Sequence, residues 1–129
     1  MSSTPEEEIR HVIAQFSHFL DERRFKEWSE FFTVDGVGFG RGPRDAVYEG
    51  ISKGELAANA ELKRNHWVDN VVIDVNGDEA TATCDMMQFD RYGDKPWVVR
   101  CAQYVDRLIK RDGRWQFVER KLGYLDADR

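Results

Sequence analysis

Residues 66–91, HWVDNVVIDVNGDEATATCDMMQFDR, decide the fold because their side chains follow the two-residue period of β-strands. The turn Asn76-Gly77-Asp78 divides the stretch into two strand-like halves. In the second half, small or apolar side chains alternate with threonine and aspartate. The pattern predicts a β-hairpin over residues 66 to 75 and 79 to 91 with one buried face.

Two further strands are predicted after the hairpin. Residues 97 to 110 and 114 to 125 are strand-like, and the dipeptide Asp112-Gly113 between them is typical of a tight hairpin turn. Four consecutive strands joined by short turns predict an antiparallel meander in the C-terminal half.

The N-terminal half is predicted to be helical. Thr4-Pro5-Glu6-Glu7 has the capping-box pattern, and apolar residues then recur at helical spacing as far as Asp21. Four aromatic residues predict a second, short helix that ends before Asp35-Gly36; they are Phe25, Trp28, Phe31 and Phe32. Ser52-Lys53-Gly54-Glu55 repeats the capping box and predicts a third helix ending near Asn65.

Between these helices, residues 37 to 48 are rich in glycine and predict an irregular strand or hairpin. Gly38, Gly40 and Gly42 favour kinks and bulges, so we expect the sheet to bend around a cavity. The expected fold class is α+β, with three N-terminal helices packed on a strongly curved mixed or antiparallel sheet.

Length and charge restrict the class of protein. The 129 residues fit a single domain over residues 1–129. A net charge of −5 argues against a nucleic-acid partner, because binding a polyanion needs a concentrated basic face. No apolar run approaches the ~20 residues that span a bilayer, and the acidic start does not resemble a secretory signal. We therefore expect a cytoplasmic protein with no membrane partner.

The sequence offers little for a metal or a cofactor. His11 and His18 lie in the first helix without a second ligand pair at a useful spacing. Cys84 and Cys101 lie in strand-like stretches and are predicted to be buried free thiols. We expect neither a metal nor a cofactor.

Two residues could carry chemistry. His66 stands where the third helix is predicted to give way to the sheet, and Asp21 ends the first helix. From spacing alone, a histidine there is more often hydrogen-bonded and inert, and Asp21 could simply cap the second helix. The residues alone leave these alternatives open.

The combination of Phe19-Leu20-Asp21 with His66-Trp67-Val68-Asp69-Asn70-Val71-Val72-Ile73 resembles the SnoaL-like branch of the nuclear transport factor 2-like superfamily. The hairpin segment Asp78 to Ala82 and the stretch Asp106 to Trp115 resemble it too, in the same order along the chain. The resemblance implies a cone-shaped half-barrel with an internal pocket.

In the dehydratase and dehydrochlorinase members, an aspartate and a histidine form a catalytic dyad, and the resemblance assigns these roles to Asp21 and His66. It also assigns a substrate-binding cation to Arg120, in the last strand. Phe16 and Phe39 stand where the dehydratases have tyrosines. Plain core packing is an equal alternative for the predicted pocket wall, which comprises Trp28, Phe32, Phe39, Met86, Gln88 and Tyr104.

The function expected from the resemblance is that of a cofactor-independent lyase or isomerase acting on a small, largely apolar, cyclic molecule. The alternative is a non-catalytic ligand-binding module, or an assembly subunit similar to the small subunit of ring-hydroxylating dioxygenases. We also expect a homo-oligomer, dimer or trimer, joined through apolar residues of the outer sheet face: Val98, Val99, Tyr104 and Leu108.

Overall fold

The computed structural model describes residues 3–57, 63–92 and 94–124. Within them the chain forms three helices and one five-stranded sheet. The helices are α1 (Pro5–Asp21), α2 (Phe25–Ser29) and α3 (Arg44–Ala57). The strands are β1 (Phe32–Gly38), β2 (Lys63–Asn76), β3 (Glu79–Tyr92), β4 (Lys95–Arg111) and β5 (Arg114–Tyr124).

Helix α1 begins at the predicted capping box. The backbone N–H of Glu7 donates to Thr4 Oγ1 at 3.1 Å, and the Glu7 carboxylate accepts the Thr4 N–H at 3.4 Å. These bonds satisfy amide donors that a helix start otherwise leaves free. The apolar stripe of α1 is buried on the sheet and comprises Ile9, Ile13, Phe16 and Leu20.

The sheet has the strand order β1-β5-β4-β3-β2 and is open, with β1 and β2 at its edges. Strands β2 to β5 form the predicted antiparallel meander, and β1 pairs parallel to β5, so the sheet is mixed. Asp112 and Gly113 both have positive φ, 52° and 76°, as a tight two-residue turn requires. The meander is confirmed, as are its turns at Gly77 and at Asp112-Gly113.

The chain between α1 and β2 differs from the prediction. Helix α2 ends at Ser29, and Phe32 instead begins β1, where the Phe117 N–H donates to the Phe31 carbonyl at 2.8 Å. The spacing of the aromatic residues alone also fits a helix. The backbone hydrogen bond to β5 is what places this segment in a strand.

The third helix begins earlier in the sequence than predicted. It begins at Arg44, directly after Pro43, whose carbonyl accepts the N–H groups of Ala46 and Val47. Proline suits a helix start because its φ is fixed and its missing N–H is not needed there. The predicted strand or hairpin over residues 37 to 48 is present only as far as Arg41, which forms an antiparallel bridge with Gly38, and is wrong beyond it. The helix prediction as far as Asn65 is wrong too, since β2 already begins at Lys63.

Aromatic rings fill the space between α1 and the sheet. The Phe16 ring lies at their centre, with centroid distances of 5.1 to 6.4 Å to its neighbours. The neighbours are Trp28, Phe31, Phe32, Phe39, Tyr104 and Phe117. Gly38 permits this packing, because an added Cβ would lie 2.7 Å from the Phe32 ring. Several residues predicted to line a pocket are thus core residues that pack on one another.

The outer face of the sheet carries exposed apolar side chains. Tyr104 and Leu108, which we expected there, are instead 2% exposed and part of the core, since β4 alternates with even-numbered residues inward. The exposed apolar residues of β2 and β4 are Trp67, Val72, Trp97, Val98, Val99 and Val105. Cys84 is buried, Cys101 half-buried, and both are free thiols. No described helix is both long and apolar enough to cross a membrane.

One ion pair lies inside the core. Arg120 Nε is 3.0 Å from Asp106 Oδ1, and neither side chain has any exposed surface. The guanidinium carbon lies 3.6 Å from the Tyr104 ring centroid and 4.4 Å from that of Phe16. Burial raises the pKa of Asp106 to about 6, although Arg120 opposes the shift. The pair neutralises two charges that are costly to bury singly, although both Asp106 oxygens and the Nε and Nη1 of Arg120 have no hydrogen-bond partner.

We predict that Asp106→Asn lowers the free energy of unfolding by about 3–5 kcal/mol, because it leaves the Arg120 guanidinium buried without a counter-charge. Urea denaturation at neutral pH measures the change. The double variant Asp106→Leu/Arg120→Met should recover much of the loss, because it removes both charges. A double variant no more stable than Asp106→Asn would contradict this account.

Candidate active site at the end of the first helix

The end of α1 contacts the beginning of β2 through Asp21 and His66. Asp21 Oδ1 lies 2.6 Å from His66 Nδ1, and Asp21 Oδ2 accepts the backbone N–H of His66 at 3.0 Å. The two side chains are 12% and 7% exposed. One carboxylate thus fixes both the backbone and the ring of one histidine.

This contact selects a tautomer of the neutral imidazole. A carboxylate oxygen only accepts hydrogen bonds, so Nδ1 must be the protonated nitrogen. The lone pair of the neutral ring is then on Nε2, the nitrogen turned away from Asp21. His66 is arranged as a hydrogen-bond acceptor or a base at Nε2.

Helix α1 ends in a way that leaves the Asp21 side chain available. The N–H of Arg24 donates to the Phe19 carbonyl and that of Arg23 to the Leu20 carbonyl, the two bonds of a Schellman motif. Helix α2 has Arg24 at its N-cap, with no side-chain capping bond. The alternative that Asp21 caps the second helix is therefore wrong.

A bulge in β2 turns His66 toward the interior. Val71, Ile73 and Val75 pack against the core, so strict alternation would turn His66 outward. The pairing with β3 shifts by one residue between Asp69 and Val72, where Asn70 has a φ of 54°. Beyond the bulge, His66 is 8% exposed and Trp67 is 64% exposed.

A cavity of about 270 Å³ lies beside this contact. Helix α1, helix α3 and strands β2 and β3 all contribute to its wall. Its lining residues are Leu20, Asp21, Arg23, Glu55, Lys63, Arg64, Asn65, His66 and Arg91. Of the predicted site residues, only Asp21 and His66 line it.

Next to His66 lies a cluster of charged residues that the sequence analysis missed. Arg64 binds Asp90 with two parallel bonds, from Nε at 2.8 Å and Nη2 at 2.9 Å, and its Nη1 contacts Glu55 at 3.2 Å. The hydrogen bonds from Arg64 lower the pKa of Asp90, against the effect of burial. In the other direction, the bond to Asp90 raises the pKa of Arg64 above its usual range. The cluster joins α3 to the hairpin beside the cavity.

Gln88 lies directly opposite His66 in the ladder and is 4% exposed. Its Nε2 donates to Asp90 Oδ1 at 3.4 Å, so Gln88 connects the histidine position to the charged cluster. The opposite charges of Arg64 and Asp90 are a sequence signal that could have suggested their pairing. If β2 had no bulge, however, the register counted back from the turn at Gly77 would place Arg64 opposite Arg91.

The remaining predicted residues lie deeper in the fold. Trp28, Phe32 and Arg120 have no exposed surface, and Met86 is 4% exposed. Tyr104 is 2% exposed, and burial raises its pKa to about 12, with a smaller contribution from the Asp21 carboxylate. Its phenol therefore keeps its proton at physiological pH. Among the described residues, no group of three or more His, Cys, Asp or Glu side chains could hold a metal ion.

The fold and this site define a small α+β protein with a histidine–carboxylate pair beside a polar cavity. The chain belongs to the SnoaL-like domain family, whose profile matches residues 1–121. The predicted resemblance is thus confirmed. No curated protein matches the sequence.

Solved structures share the fold over most of their length. ActVI-ORFA of Streptomyces coelicolor has a TM-score of 0.88 at 20% identity, covering 96% of this chain and 97% of that one. A candidate scytalone dehydratase of Novosphingobium aromaticivorans has a TM-score of 0.78 at 26% identity, covering 91% and 81%. A Catenulispora acidiphila protein in complex with S-DNPA has a TM-score of 0.79 at 25% identity, covering 92% of each chain.

We predict that Asp90→Asn lowers the free energy of unfolding by about 1–3 kcal/mol near pH 7, because it removes the charge that Arg64 binds. The folded pKa of Asp90 lies below its unfolded value of about 3.9, so its contribution exists above that pH. It is lost as the pH falls through the folded pKa. Urea denaturation at neutral and strongly acidic pH should show the difference from wild type shrinking in acid.

Asp74→Asn, at an exposed position of β2, is the control for loss of a carboxylate. A deficit for Asp90→Asn that is equally large in acid would exclude the ion pair as its cause.

Proposed function

We propose that the chain is a cofactor-independent lyase, of the dehydratase or dehydrohalogenase kind, or an isomerase, with His66 as general base and Asp21 as its positioning partner. The observation that carries this proposal is the 2.6 Å contact of Asp21 Oδ1 with His66 Nδ1, which leaves Nε2 free as a base. The family and a 26%-identical candidate scytalone dehydratase support it. A curved, cone-shaped sheet around an internal pocket is part of the same proposal.

The reaction is a proton transfer from carbon. Nε2 of His66 takes the proton, and the C–H electron pair either forms a double bond as a leaving group departs or moves along the substrate in an isomerisation. The Asp21 carboxylate stabilises the imidazolium that results, as in other histidine–carboxylate pairs. The base then returns the proton to the leaving group, to the substrate or to water.

The negative charge that develops on the substrate needs a cation or a donor near it. The family resemblance assigns this role to Arg120, but Asp106 already neutralises its guanidinium, which has no exposed surface. In this chain we assign the role to groups that line the cavity and have no carboxylate partner among the described residues, of which Asn65 is nearest to His66 in sequence.

We predict that the protein accelerates the elimination of 5-nitrobenzisoxazole, in which a base removes a C–H proton as the N–O bond breaks and a coloured phenolate forms. His66→Ala should lose about 10²- to 10⁴-fold of this activity, the usual contribution of a general base. Asp21→Asn should lose more than about tenfold. Its amide oxygen can still accept the His66 backbone N–H, but its NH₂ then faces Nδ1 and moves the ring proton to Nε2.

His18→Ala, which removes an exposed histidine from the last turn of α1, is the matched control and should retain the wild-type rate. Thermal unfolding of each variant separates loss of chemistry from loss of fold. His66→Ala with the wild-type rate would overturn the proposal. An inactive His66→Ala beside a nearly unchanged Asp21→Asn would remove Asp21 from the mechanism.

A non-catalytic ligand-binding or assembly module is the second candidate. The ring cluster around Phe16 supports it, because an assembly subunit has no need of an open interior. The outer sheet face supports it as well, since Trp67 and Phe89 pack there with ring centroids 4.8 Å apart although Trp67 is 64% exposed. An apolar surface of this kind is typical of protein interfaces. Lack of any proton-transfer activity would favour this candidate.

In either case we predict a homo-oligomer, dimer or trimer, joined through the outer sheet face. Sedimentation equilibrium should give a multiple of the 15.1 kDa chain mass. Trp67→Lys should shift the protein toward the monomer, because it puts a charge into the buried area. Val34→Lys is the matched control on β1, at the opposite edge of the sheet, where Val34 is 73% exposed. A wild-type monomer at micromolar concentration would refute the prediction.

A further inference from the structure

The cavity beside His66 is rich in cations for an acidic protein. Four of its nine lining residues are basic and two are acidic, whereas the chain as a whole has a net charge of −5. The basic residues are Arg23, Lys63, Arg64 and Arg91. Local charge of the opposite sign to the whole protein marks a place that attracts anions.

The acidic groups near the cavity already have partners. Asp21 binds His66, and Arg64 binds both Glu55 and Asp90. Within the described residues, by contrast, no carboxylate lies within ion-pair distance of Arg23, Lys63 or Arg91. Their charges are available to an anion that enters the cavity.

Arg23 is notable for its backbone. It is the residue after the C-cap of α1, with a φ of 60°, the left-handed conformation in which helices favour glycine. A side chain at such a position is less favourable than glycine, which has no Cβ to clash with the backbone. This sequence nevertheless has a half-buried arginine there, two residues after Asp21, and its side chain lines the cavity wall.

We propose that the cavity takes an organic acid, whose anionic group is bound at the mouth by Arg23, Lys63 and Arg91 while its apolar part lies toward His66. This inference deepens the proposed function and rests on His66 being the reacting group. The shared chemistry is a carboxylate or phosphate attached to an apolar ring system. Long-range attraction to the three cations also speeds the encounter with such a substrate.

The test compares matched ligands by isothermal titration calorimetry: 1-naphthoate, the neutral isostere 1-naphthamide, and 1-naphthyl phosphate. Naphthoate should bind about tenfold more tightly than naphthamide at low ionic strength, and the preference should shrink in high salt, which screens partly exposed charges. Preference for the naphthyl phosphate over naphthoate would identify a phosphate as the anionic group.

Arg23→Gly is the decisive variant, because glycine suits the left-handed backbone and the fold should be at least as stable as wild type. It should lose several-fold in naphthoate affinity and keep its naphthamide affinity. Arg111→Gln is the charge-matched control: Arg111 is exposed at the other end of β4, and the variant should bind naphthoate like wild type.

Equal affinities for naphthoate and naphthamide, no naphthoate binding at millimolar concentration, or an unchanged affinity in Arg23→Gly would each overturn the inference. His66→Ala separates it from the proposed function. This variant should still prefer naphthoate while losing the elimination of 5-nitrobenzisoxazole. If the protein prefers naphthoate but shows no elimination activity at all, the inferred organic-acid site is supported and only the role of His66 as a base is rejected.

Discussion

The contact between Asp21 and His66 joins the two layers of the molecule at the place where the cavity opens. Helix α1 ends at Asp21, and β2 is an edge strand of the sheet, which α1 also contacts through the hydrogen bond from Arg10 Nη2 to the Val71 carbonyl. Both carboxylate oxygens are used, one on the backbone N–H and one on the ring. The position of the strand and the tautomer of the histidine therefore depend on the same side chain.

The two internal arginines illustrate how burial decides what a cation can do. Arg120 has no exposed surface, is paired with Asp106 and is enclosed by aromatic rings, so its charge is neutralised inside the fold. Arg64 is 22% exposed, holds Glu55 and Asp90 together, and lines the cavity. The same type of side chain is thus part of the core in one case and part of the site in the other.

The cavity lies at one end of the sheet rather than within the aromatic cluster. The rings around Phe16 occupy the interior between α1 and the strands, and the polar residues gather where β2 and β3 run past the end of α1. The base thus lies in a cavity lined by one apolar residue, Leu20, and by four basic residues, which include Arg23 and Arg91. The charged mouth is the feature that distinguishes a site for an acid from a site for a neutral ring.

The sequence by itself determined the elements with strong local signals. The capping box at Thr4, the apolar stripe of α1 and the turn at Asp112-Gly113 all depend on neighbouring residues, and each is present as predicted. The pairing of Asp21 with His66 was available from the family resemblance, not from spacing, since the two residues are 45 positions apart. The prediction for the glycine-rich stretch is wrong because α3 begins directly after Pro43 rather than at Ser52.

Tertiary structure alone decided which side chains face inward in β2. A strand alternates strictly, and from Val71, Ile73 and Val75 that alternation would put Trp67 inside and His66 outside. The bulge at Asn70 reverses the alternation, so the histidine faces the cavity and opposes Gln88. The position of such a bulge is set by how β2 packs on α1 and β3, because one inserted residue costs little locally but changes every contact beyond it.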